Sequence, residues 1–146
     1  MSYLAVENDR RIYFEHHRGD ARPIVLIHGW GANTRCWDTT APALKAEGHE
    51  VVLVDLRACG RSDKDFEDVS IAALADDVVK VVEHLGLESP VINGWSLGGA
   101  VATHVRVSNP LATHVLFPVY LGLLLWLGLY LRDARLRKLV PFRAAN

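Results

Sequence analysis

Cysteine is scarce in this chain: Cys36 and Cys59 are the only two in 146 residues. That is too few for a disulfide framework, and neither sits in a cluster that would mark it as a metal ligand. The start, MSYLAVENDRR, carries charges where a signal peptide would need its apolar segment, so a secreted protein is not expected. Both observations suit a reducing, cytoplasmic location. Internal repeats and low-complexity linkers are lacking too. An overall excess of charge is absent, with a formal net charge of −1. That balance hides an asymmetry. Residues 1–110 carry 11 Lys and Arg against 16 Asp and Glu, whereas residues 132–146 carry five against one. An acidic body argues against a nucleic-acid partner. With half its residues apolar and 23% charged, the chain reads as one globular domain.

Short apolar runs alternate with helix-like patterns. RIYFEHH reads as a strand that can pair with YLAV before it. PIVLIH, residues 23–28, and EVVLVDL, residues 50–56, are continuous apolar runs of the kind expected for strands buried on both faces. Each ends in a loop, HGWGAN and RACGRSD. A helix is expected over residues 34–46, closed by Gly48. Ser70 can cap a second helix, IAALADDVVKVVEHLG, with Asp and Glu on one side and Ile71, Leu74, Val78 and Val82 at helical spacing. PVING is a short strand, and SLGGAVATHV opens another helix. This alternation predicts an α/β fold with a mostly parallel sheet and helices on both faces. The loops after the strands are then where a site is built.

Gly94-Trp95-Ser96-Leu97-Gly98 fits G-x-S-x-G between a strand and a helix, the setting of a nucleophile elbow. In such a turn the serine is forced into strained backbone, and a Cβ at either flanking glycine would collide with the neighbouring strand and helix. The bland alternative is a plain glycine-rich turn. The helix N-terminus behind Ser96 offers N–H groups to a developing oxyanion. The earlier loop, His28-Gly29-Trp30-Gly31, lies beside the elbow in this architecture. The backbone N–H groups of Trp30 and Leu97 are therefore the expected oxyanion donors. His28 and Gly29, with Gly94 and Gly98, are expected to shape the loops, His28 through hydrogen bonds rather than proton transfer.

LIHGWGANTRCWD, VVLVDLRACGRSD and VINGWSLGGAVA, in this order, resemble the oxyanion loop, the D-x-R-x-x-G-x-S loop and the elbow of the α/β-hydrolase family. The resemblance covers residues 3–105, the N-terminal half of that fold. Within the family, HGWG with GWSLGG is similar to carboxylesterases such as the pimeloyl-[acyl-carrier protein] methyl ester esterases. It implies an ester or similar acyl substrate attacked by Ser96, with no cofactor and no metal. Two positions depart from the pattern. Ala58 stands where the family usually has Gly, which would strain a turn that prefers positive φ, and Cys59 stands where it often has His.

The resemblance also implies a triad acid and histidine later in the chain, yet only 50 residues follow Ser96. The downstream histidines are His104, about 12 Å along the helix from Ser96, and His114; the downstream acid is Asp133. None fits a family position, so turnover is expected to be impaired by several orders of magnitude. Beyond Pro118 the resemblance stops. Residues 115–131 are uncharged and mainly apolar, about 26 Å if helical, at the lower limit for spanning a bilayer, and a basic end follows. The segment 111–131 is read as a membrane anchor, a frame-altered tail, or an apolar helix covering the core. The alternative function is a non-catalytic fragment, membrane-associated through that segment. A truncated sheet would leave PVING, or the strand after it, as an edge open to self-association.

Overall fold

The computed structural model describes residues 2–105 and Arg132. Five strands form one sheet: β1 (Ser2–Glu7), β2 (Arg10–His17), β3 (Ala21–Ile27), β4 (His49–Asp55) and β5 (Val91–Gly94). Their order is β1-β2-β4-β3-β5. β1 and β2 form an antiparallel hairpin, and β2 is antiparallel to β4. β3 runs parallel to both β4 and β5. The sheet is thus mixed, and the parallel half carries the loops of interest. Asn8 and Asp9 close the first hairpin with φ of 43° and 63°, the left-handed pair that a two-residue type I′ turn requires.

The apolar runs become the two central strands. Alternation sends Val25, Ile27, Val52 and Val54 to one face, where they pack with Leu74, Val78, Val81 and Val101. Leu26, Val51 and Leu53 point the other way, onto Ala41, Leu44 and Trp37. Both faces of β3 and β4 are therefore buried, each Val, Leu or Ile stabilising the fold by about 1.5–3 kcal/mol. The helices α2 (Ile71–His84) and α3 (Leu97–His104) cover the first face, and α1 (Thr40–Ala46) the second.

Helix ends follow the sequence. The Ser70 side chain accepts from Ala73 N–H at 3.3 Å, capping α2 as expected. At its other end Gly86 takes φ 64°. Gly86 N–H then reaches Glu83 O, and Leu87 N–H reaches Val82 O, the paired bonds of a Schellman motif. Two expectations are corrected. Residues 34–46 are not one helix but a 3₁₀ turn, Thr34–Trp37, followed by α1. Pro42 explains the break: it has no N–H, so it is tolerated in the first turn of α1 but would interrupt a helix begun at Thr34. Asp77 does not share the solvent side of α2 with the other acids. It is 1% exposed, on the face of Leu74 and Val78.

β5 has one strand partner, β3, among the described residues. No described helix is long and apolar enough to cross a membrane. The apolar segment 111–131, its expected helix, His114, Asp133 and the basic end apart from Arg132 lie outside the described residues.

Candidate active site

The elbow forms between β5 and α3. Ser96 has φ 56° and ψ −119°, the geometry of the first central residue of a type II′ turn, where glycine is usual. Gly98 N–H donates to Trp95 O at 2.9 Å, closing that turn around Ser96. A serine here stores about 1–3 kcal/mol of backbone strain. The flanking glycines permit the approach of backbone to backbone. A Cβ on Gly94 would meet Gly98 C and O, and one on Gly98 would meet the carbonyl oxygens of Ile27 and His28. Trp95 N–H donates to Ile27 O at 3.0 Å. The elbow is thus fixed to the end of β3 by main-chain contacts.

The loop after β3 lies alongside. A Cβ on Gly29 would sit 3.2 Å from Ser96 Cβ and 3.0 Å from Trp95 Cε3. Neither the Trp30 N–H nor the Leu97 N–H has an acceptor among the described residues. The Trp30 and Trp95 side chains are 80% and 60% exposed.

His28 is wholly buried and its hydrogen bonds fix its tautomer. Leu56 N–H donates to Nε2 at 3.0 Å, so that nitrogen is unprotonated. Nδ1 then carries the hydrogen and donates to Gly29 O at 2.7 Å. Burial holds the imidazole below its ordinary pKa, against the opposing influence of the Gly29 carbonyl and Asp55. A neutral ring with both nitrogens engaged ties the Gly29 loop to the end of β4.

Sequence reasoning did not single out Asp55, which joins the two loops. Its Oδ1 accepts from Thr34 N–H at 2.6 Å and its Oδ2 from Arg61 N–H at 2.8 Å. Its backbone oxygen accepts from Ser62 Oγ, which in turn accepts from Tyr13 N–H. The signal was present in VVLVD, a carboxylate at the end of a buried run that must find donors. Arg57, two residues on, is buried against Asp77 through two hydrogen bonds of 2.7 Å. It also donates to Glu7 and to Asp68 O, and lies 4.6 Å above the Phe66 ring. Burial pushes the Asp77 carboxyl up, opposed by the Arg57 guanidinium, whose own pKa the carboxylate raises. Directly after Arg57 stands Ala58 at φ 61°. The expected departure from glycine is a left-handed alanine.

The other described histidines are placed elsewhere. His16 meets Glu50 at 2.6 Å, His17 lies 3.8 Å from Glu15, and His49 engages Arg22 O. His16, Arg18, Asp20 and Glu50 line a shallow cavity of about 440 Å³ with Leu85, at the opposite end of the parallel strands. His84 packs edge-on to Phe14, and His104 at the end of α3 engages Ala100 O. Among the described residues no cluster of His, Cys, Asp or Glu could hold a metal ion.

A parallel β3/β4/β5 core with this elbow places the chain in the α/β-hydrolase family, and the comparison of sequences agrees: residues 22–110 match the alpha/beta hydrolase fold. The chain belongs to that family. It is 35% identical over 100 residues to the AB hydrolase superfamily protein YisY of Bacillus subtilis, covering 68% of this chain and 37% of that protein. It is 38% identical over 102 residues to a pimeloyl-[acyl-carrier protein] methyl ester esterase of Aeromonas hydrophila, covering 69% and 38% of the two. Among solved structures it superposes on an esterase from Exiguobacterium antarcticum with a TM-score of 0.67 at 28% identity, over 77% of this chain and 40% of that one. The chain spans well under half the length of each.

Proposed function

We propose that this chain supplies the nucleophile and oxyanion-binding half of a serine hydrolase acting on an ester or similar acyl substrate. The observation that carries the reading is Ser96 at φ 56° in the turn before α3, with the Gly29 loop packed against it. In the proposed reaction Ser96 Oγ attacks the carbonyl carbon while a base accepts its proton. The carbonyl oxygen becomes an oxyanion held by Trp30 N–H and Leu97 N–H. Collapse expels the alcohol, which takes the proton, and water then cleaves the acyl-serine. The esterase relatives support an acyl substrate of this class.

His28 is a loop-shaping residue in this reading, since neither ring nitrogen is free. The base and the acid that orients it therefore come from outside residues 2–105. Without them turnover would fall by several orders of magnitude, leaving what the oxyanion donors alone provide.

Labelling of the full chain with a fluorophosphonate probe, beside Ser96→Ala, is the test. Slow labelling at the rate the oxyanion donors support, lost in the variant, is the expected result. A folded protein that takes no label would sink the proposal and leave a non-catalytic member of the family.

A further inference from the structure

We propose that His28 is an acid-released latch on the oxyanion loop: a proton taken up by its buried ring unseats residues 28–31 and disables the Ser96 site while the sheet stays folded. The loss of activity rests on the reading of Ser96 as nucleophile with Trp30 N–H as oxyanion donor. The release of the loop does not.

One of the ring's two hydrogen bonds exists only in its neutral form. Nε2 accepts from Leu56 N–H at 3.0 Å, and a proton there would set two donors against each other at that distance. Nδ1 donates to Gly29 O at 2.7 Å. The same oxygen takes Ala32 N–H at 3.2 Å, closing a turn in which Gly31 has φ 65°. In a planar trans peptide the C=O and N–H point in opposite directions. With Gly29 O directed onto the ring and into the turn, Trp30 N–H, in the same peptide unit, is turned outward and left for the oxyanion. The ring thus aims the donor by holding its carbonyl.

Among the described residues the charged groups around the ring are already committed. Asp55, at the end of β4, is the charge that acts on it, yet its two oxygens accept Thr34 N–H and Arg61 N–H. Arg57, next to Leu56, is engaged by Asp77 and Glu7. Arg35 and Asp38, at the 3₁₀ turn, pair with each other. The elbow and α3 as far as Ala102 carry no charged side chain. A buried imidazolium without an acceptor is costly, and burial already opposes the charged form. A way out exists. The strand pairing of β3 ends at Ile27, and Trp30 is 80% exposed, so the ring can leave without breaking a strand pair. The closed loop excludes a proton that the open loop accepts. Below about pH 6.5, acid therefore shifts the balance toward the open loop, by at most about tenfold per pH unit.

Amide hydrogen exchange of the full chain, followed by NMR between pH 7.5 and 4.5 as protection factors, tests the latch, with the His28 ring nitrogens observed in the same samples. At pH 7.5 the ring should carry its proton on Nδ1. As it gains a second, protection at Leu56 should fall by at least about tenfold while Val52 and Val54 in β4 keep theirs. Protection lost together at Leu56 and Val54 overturns the inference. So does a ring that protonates with Leu56 still protected, or one that stays neutral throughout. His28→Gln should remove the acid step at Leu56, and the wild-type titration is decisive without it. The ratio of wild-type to His28→Gln fluorophosphonate labelling rates cancels the titration of the base. It should reach about 10²-fold at pH 7.5, the scale of one oxyanion donor, and fall toward one at pH 5. A flat ratio beside an opening at Leu56 overturns the link from latch to site. An opening at Leu56 without labelling at any pH keeps the latch and refutes Ser96 as nucleophile.

Discussion

Replacing Asp55 by Asn tests whether one buried carboxylate holds the two loops of the site together. The swap keeps the volume and exchanges one acceptor oxygen for an NH₂ group. Two backbone donors converge on the carboxylate, Thr34 N–H at 2.6 Å and Arg61 N–H at 2.8 Å, so an amide can satisfy only one. Thr34 N–H is buried and that of Arg61 partly so, and the amide should turn to keep Thr34. The loss is then one hydrogen bond to a charged group, about 1.5–3 kcal/mol, with water recovering some of it at Arg61. We expect Asp55→Asn to destabilise by about 2 kcal/mol, and Asp55→Ala, which leaves both donors unpaired and a small cavity, by about 3–5 kcal/mol. Urea unfolding of the full chain measures both. Asp38→Ala is the control, because Asp38 pairs with Arg35 at 2.9 Å with both side chains more than half exposed, and such pairs contribute about 0.5 kcal/mol or less. An Asp55→Asn midpoint indistinguishable from that of Asp38→Ala would refute the reasoning.

Three further outcomes are expected. Ser96→Gly should raise stability by about 1–2 kcal/mol in the same assay, by releasing the strain at φ 56°, while it abolishes fluorophosphonate labelling; a destabilised variant would contradict the strained turn. Ala58→Gly, at φ 61°, should stabilise by about 0.5–1 kcal/mol, the left-handed penalty outweighing the added chain entropy of glycine. Burial keeps the native His28 imidazole below its ordinary pKa, so below about pH 6.5 the unfolded chain takes up a proton that the native state refuses. The stability this residue contributes is complete above that pH and falls as pH drops, by at most about 1.4 kcal/mol per unit. Unfolding free energies between pH 5 and 8 should show a shallower decline in His28→Gln, and parallel curves would count against a neutral native His28.

Much of the fold can be read from local pattern, and the exceptions have physical causes. PIVLIH and EVVLVDL become the central strands because a run apolar on both sides has nowhere to go but between two layers. Ser70 caps α2 because its hydroxyl precedes the first apolar-periodic residue, a purely local event. Pro42 was the missed break in residues 34–46. The ND pair at residues 8–9 was equally local and announces its hairpin. The antiparallel placement of β2 against β4 is not local: those strands are separated by β3, and nothing in either run names its partner. Asp77 shows another limit. In a helix written IAALADDVV an acid reads as solvent-facing, and only Arg57, twenty residues earlier, makes its burial tolerable. At the site, the elbow and its glycines were legible as a motif, whereas Asp55 required knowing which backbone donors its carboxylate would meet.

The contact between the elbow and β3 has a consequence for divergence within this family. No side chain stands between them. Their separation is gauged by the thickness of two backbones, through Gly98 against the Ile27 and His28 carbonyls and Trp95 N–H on Ile27 O. Residues deeper in the core can change size and shift helices without moving this spacer, because it transmits no side-chain volume. Substitutions can therefore accumulate through the domain while the serine and its neighbouring loop keep their registration. The likeness to an esterase at 28% identity is the sort of distance at which such a gauge matters: sequence wanders, and the aperture stays set.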